Sequence, residues 1–127
     1  MIPMTKSDIM DRWTIALIKK HVGKLDMDAE IAVYEQELCD DFAEKPRLFH
    51  DWFARLLIAN ARVWVFESEI RFAKEGDYNI AEIARRALMT RQTNGERCAV
   101  KQEIAIHFGE IKDVKTDTLA EPAKLAG

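Results

Sequence analysis

Three prolines and five glycines are the only strong helix breakers in this chain of 127 residues. So few breakers, beside abundant Ala, Leu, Ile, Glu, Lys and Arg, favour long helices over a turn-rich architecture. Cysteine is scarce as well. Cys39 and Cys98 lie far apart in the sequence, and the expectation is two reduced, packed thiols. Positive charge is not in excess: the net charge is −3 and the pI about 5.6. A general nucleic-acid binder needs a cationic surface, so that class is excluded, although a local basic patch is not. No apolar run approaches the roughly 20 residues that span a bilayer. No cationic segment followed by an apolar one opens the chain, so no secretion signal is read and a cytoplasmic location is expected.

What remains, 48% hydrophobic and 32% charged, suits one domain with one core. Thr5 with Asp8, or Ser7, can cap a first helix carrying Ile9, Trp13, Ala16 and Leu17, with Lys19, Lys20 and His21 in its last turn before Gly23. Asp26 or Asp28 can start a second helix with Ile31, Tyr34, Leu38 and Phe42 on one face. Pro46 suits the first turn of a third, about 47–74, broken by Gly76-Asp77. Asn79 with Glu82 caps a fourth, about 80–107, that stops at Gly109. The short connection predicts that the last two fold back as an antiparallel hairpin. The expected fold is therefore all-α: four helices dominated by a long hairpin in a single domain, 1–109, with an irregular or flexible tail, 110–127. Ile111 and Val114 could form one short extended piece in that tail.

The hairpin carries polar groups where apolar ones belong. Phe49, Phe53, Leu56, Val63 and Ile70 form a stripe that Asn60 and Glu67 interrupt. Ile80, Ala84, Ala87, Cys98, Ala105 and Phe108 form a second, interrupted by Arg91, Asn94 and Lys101. A polar side chain at a core position costs free energy unless it is partnered. A turn centred on Gly76-Asp77 sets Asn60 opposite Asn94, Leu56 opposite Cys98, and Glu67 within a turn of Arg91. Two readings follow. In the first, the groups satisfy one another as a buried register lock in a structural or interaction module. In the second, Asn60, Trp64, Glu67, Arg71, Arg91, Asn94, Arg97 and Lys101 hold a small anion such as a phosphate, a carboxylate or a sugar nucleotide. There Glu67 is the candidate general acid or base, if burial stabilises its protonated form. In the first helix Asp11, Arg12 and Thr14 also interrupt an apolar face. Asp11-Arg12 reads as surface charge, with closure of the same pocket as the alternative.

The spacing Asp11-Arg12-Trp13-Thr14-Ile15, then Asn60-x3-Trp64-x2-Glu67-x2-Ile70-Arg71, then Arg86, then Arg91-x2-Asn94-x2-Arg97-x3-Lys101 resembles a family of small, uncharacterised helical proteins of bacteria and marine phages, some encoded near surface-glycan genes. The resemblance covers most of residues 8–104 and departs at Ala84 and Gln102, where the family pattern has Gly and Asn. It implies an all-helical fold and a tie to sugar-nucleotide or polysaccharide chemistry, and it carries no activity.

Other chemistries lack their residues. His21, His50 and His107 are not at ligand spacing, no Glu-x-x-His is present, and Glu37-x-x-Asp40 is half of a magnesium motif on a solvated face. No Gly-rich phosphate loop, nucleophile elbow or Cys-x-x-Cys occurs. No metal or cofactor is expected. Trp52, Leu57, Phe66 and Phe72 fall off the main stripe, which predicts a homodimer.

Overall fold

The computed structural model describes residues 4–72 and 79–110, and the side chains of 4–69 and 79–110. The fold is all-α, with four helices in the expected order: α1 (Lys6–His21), α2 (Asp28–Glu44), α3 (Pro46–Phe72) and α4 (Ile80–His107). Among the described residues no helix is long and apolar enough to cross a membrane. The turn at Gly76-Asp77, Ile111, Val114 and the tail from 111 onward lie outside the described residues.

The ends form for the reasons visible in the sequence. Thr5 is extended and its hydroxyl accepts from Asp8 N, while Asn79 Oδ1 accepts from Glu82 N at 2.9 Å. Both satisfy a backbone N–H that has no carbonyl partner in a first turn. Gly109 takes the left-handed backbone that stops α4, with φ +69°. Glu110, assigned to the tail on sequence grounds, is instead part of the fold. Its carboxylate accepts from Lys6 N at 2.7 Å and from Ser7 Oγ at 2.7 Å. It thus joins the end of the fourth helix to the start of the first.

α1 packs against each of the other three helices, and α3 lies along α4. The core sits where α1 and α2 cover the first half of α3 and the last turns of α4. Met10, Leu38, Phe49, Leu56 and Ile104 are the largest wholly buried apolar side chains there. Trp13 stacks on Phe53 at 4.6 Å between ring centres, and Phe42 and Phe108 each close on Phe49. Truncating one such residue to Ala leaves a cavity and costs about 2–5 kcal/mol.

Three expectations need correction. The face that α4 turns inward meets the predicted stripe only at its end, where Ala105 is buried and Phe108 packs on the core. Ile80 is 83% exposed, and Ala84, Ala87, Arg91, Asn94 and Cys98 are exposed too. The buried positions are Thr93, Val100, Ile104 and Ala105, with Arg86 and Arg97 half-buried. The small apolar residues of the predicted stripe have too little area to outweigh Val100 and Ile104. Arg55 pairs with Glu103 at 2.6 Å and Arg62 with Glu96 at 3.6 Å, and Arg55 also lines one groove with Ala99, so these contacts fall within about one helical turn of the centring on Gly76-Asp77. Leu56 is buried, whereas both free cysteines are exposed rather than packed. Finally, Trp52 is buried and its indole N–H donates to Glu103. Leu57 and Phe66 are half-buried, and the Phe72 side chain lies outside those described. Of the residues chosen for a dimer surface, Trp52 is therefore part of the core.

Candidate functional site

α1 presents Ser7, Asp11, Thr14 and Ile18 at four- and three-residue steps, and all four are buried. That is one helical face. It carries Asp11, 2% exposed, between α3 and α4. Asp11 is therefore not surface charge, as the sequence reading had it. Its only stable environment there is one rich in donors.

The neighbouring helices supply them. Arg97 of α4 donates from Nε to Asp11 Oδ1 at 2.9 Å and from Nη2 to Oδ2 at 2.7 Å. Asn60 of α3 donates from Nδ2 to Asp11 Oδ1 at 3.0 Å and to Thr14 Oγ1 at 2.8 Å. The Thr14 hydroxyl donates its own hydrogen to the Asp11 carbonyl at 2.8 Å. Arg97 Nη1 donates to Asn94 Oδ1 at 2.9 Å. Lys101 Nζ lies 3.7 Å from Asp11 Oδ2 and 3.2 Å from Asp8 Oδ1. A forked guanidinium–carboxylate pair fixes both distance and orientation. Here it ties α1 to α4, and Asn60 ties α1 to α3.

Burial by itself would raise the Asp11 pKa. The hydrogen bonds from Arg97 and Asn60, with the charges of Arg97 and Lys101, outweigh it and hold the carboxyl below its ordinary value. The same bond from Asp11 holds the Arg97 guanidinium above its ordinary range. Both groups are charged at neutral pH.

Beside this network, beyond the cover that α2 gives, a cleft of about 540 Å³ opens between three helices. α1 contributes Ile15, Ile18 and Lys19; α3 contributes Asn60, Val63, Trp64 and Glu67; α4 contributes Ala87, Thr90, Arg91, Asn94 and Arg97. The size is within the range of small-molecule sites. The Trp64 ring lies against the chain leaving α1: a Cβ built on Gly23 would sit 3.2 Å from it and 2.8 Å from the Lys19 carbonyl oxygen. Gly23 thus lets the indole close one end of the cleft.

Six of the eight residues singled out in the sequence line this one cleft: Asn60, Trp64, Glu67, Arg91, Asn94 and Arg97. Lys101 stands outside the lining, on Asp8 and Asp11, and the Arg71 side chain lies outside those described. The predicted pairings differ from the observed ones. Asn60 is buried and bonded to α1, whereas Asn94 is exposed and bonded to Arg97. Among the described residues no hydrogen bond or ion pair joins Glu67 to Arg91, and both are exposed at the cleft. The burial on which a catalytic Glu67 depended is absent. Sequence reasoning carried the centre of the network, Asp11 with Thr14, only as the alternative to surface charge, and missed the cleft cation Lys19. The repeat Ser7-Asp11-Thr14-Ile18 is the signal that identifies the first two. Among the described residues no group of His, Cys, Asp and Glu could hold a metal ion.

No protein-family model, no curated protein and no solved structure matches this chain.

Proposed function

We propose that this chain is a small binding protein that takes an anionic ligand in the cleft between α1, α3 and α4, on a floor fixed by the Asp11 network. One observation carries the reading. Arg97 and Lys101 are both used by Asp11, while Lys19 and Arg91 reach the cleft with no ion-pair partner among the described residues. Among the described residues Glu67 is the only carboxylate in the lining, so Lys19, Arg91 and Glu67 together carry an excess of one positive charge. Arg91 supplies the planar fork suited to phosphate or carboxylate, Lys19 a mobile point charge, and Trp64 an apolar wall. The family resemblance, with its tie to sugar nucleotides, is compatible with such a ligand.

The test is calorimetric titration with pyrophosphate and with citrate at constant ionic strength, so that general screening is held fixed. Saturable one-to-one binding is expected, with Arg91→Gln weakening it about tenfold or more, as loss of a charge-assisted hydrogen bond implies. Binding of neither probe, or equal binding by Arg91→Gln, overturns the reading.

A second reading, that the chain is a structural or interaction module, draws on a different observation. The Asp11 network is satisfied within the chain and orients three helices without any ligand. It stands if the cleft binds nothing and the network alone proves essential to folding.

A further inference from the structure

A second face of the hairpin is built on residues that the cleft does not use. On α3, Ile58 and Val65 are seven positions apart and each about half exposed, at 52% and 50%. On α4, Leu88, Gly95, Ala99 and Ile106 follow a seven, four, seven spacing, and all are exposed. Seven-residue spacing keeps side chains on one line of a helix. Ile58 and Ala99 line one shallow groove of about 340 Å³ where the two lines run side by side.

The two lines differ in size and in flanking charge. α3 projects branched side chains. α4 offers small ones at its middle, Gly95 and Ala99, between the exposed Leu88 and Ile106, and a Cβ built on Gly95 would meet nothing within 4 Å. Beside the groove the cations stand on α3, Arg55 and Arg62, and the anions on α4, Glu103 and Glu96, paired across it. A two-fold axis parallel to the helices would stack α3 of one copy on α4 of another. That operation lays Ile58 over the stretch that begins at Ala99, and each arginine row over a glutamate row. One patch is thus complementary to itself in both shape and charge, which is the condition for an isologous contact. A different partner would have to match the same alternation independently.

We infer that this face of α3 and α4 binds a second copy of the chain, giving a two-fold dimer whose hairpins stack as two layers of two helices. The cleft lies on other residues of the same helices and stays open in both copies.

Sedimentation equilibrium of the full chain over the micromolar range tests this. The expected mass is twice the 14.6 kDa of the chain. Ile58→Glu and, separately, Val65→Glu should each yield a monomer with an unchanged helical circular-dichroism spectrum, since both residues are half exposed in the single chain. A wild-type chain that is monomeric throughout overturns the inference. So does a dimer that survives both substitutions, which would place the contact elsewhere.

Discussion

Asp11 and Arg97 stand 86 positions apart in the chain and meet through two parallel hydrogen bonds of 2.9 and 2.7 Å. The carboxylate is buried, while the guanidinium keeps 26% of its side-chain surface exposed. The pair is therefore asymmetric. Removing the Asp11 side chain leaves Arg97 able to reach water, but takes from the buried Asn60 amide one of its two acceptors, while Thr14 keeps the backbone carbonyl of residue 11. Removing Arg97 leaves a buried carboxylate.

Arg97→Met should accordingly destabilise more than Arg91→Gln, whose side chain is exposed and unpaired among the described residues. Loss of one partner of a buried pair costs about 3–5 kcal/mol. Loss of an isolated surface charge stays within about 0.5 kcal/mol. Urea unfolding of the two variants measures the difference.

Acid should unfold the protein partly through Asp11. Its folded-state pKa lies below the ordinary value, so the unfolded chain binds this proton more tightly. The stabilisation is present in full above the unfolded carboxylate pKa of about 3.9 and is lost as the pH falls below it through the folded value. Unfolding free energy measured from neutral pH down to pH 3 should drop at the acid end. Asp11→Asn should be less stable at neutral pH and show a shallower acid slope. An equally steep slope in that variant assigns the acid sensitivity to other carboxylates.

Gly23→Ala should both destabilise the protein and disturb Trp64. The new methyl carbon would lie 2.8 Å from the Lys19 carbonyl oxygen, a backbone atom that cannot swing away, and 3.2 Å from the indole. Overpacking of this kind costs about 1–3 kcal/mol. Thermal melts give the cost, and the loss of any fluorescence change in a Trp64→Phe background shows that the displaced ring is this one.

Glu110→Ala should loosen the start of α1 without touching the core. The carboxylate caps Lys6 N and binds Ser7 Oγ, a role worth about 0.5–2 kcal/mol at a helix N-terminus. Hydrogen exchange is the sharper probe. Amides in the first turn of α1 should exchange faster, while those around Leu38 and Leu56 should slow or quicken only with global stability.

The helices were legible because their ends are local events. Thr5 with Asp8, Asn79 with Glu82, and Gly109 each act within a few residues. Most of the cleft was legible too, since Asn60, Trp64 and Glu67 recur along one side of a helix, as do Arg91, Asn94 and Arg97. What could not be read was which residue each one meets. Asp11 looks like surface charge in isolation because its partners, Asn60 and Arg97, are supplied by distant helices. The inward face of α4 was misjudged because Ala84, Ala87, Arg91, Asn94 and Cys98 give little hydropathic contrast. Val100 and Ile104, one turn apart, decide that face. Lys19 joins the cleft only because α1 ends beside Trp64, a tertiary fact with no local sign.

The most direct check on the Asp11 network as the joint between three helices is a double-mutant cycle on Asp11→Ala and Asn60→Ala, read by urea unfolding at neutral pH. Groups sharing one buried hydrogen-bond network couple by about 0.5–3 kcal/mol, whereas distant groups add. The double variant should therefore be more stable than the sum of the single losses predicts, by at least about 1 kcal/mol on that scale. Strict additivity, or single variants as stable as wild type, would contradict the network as described.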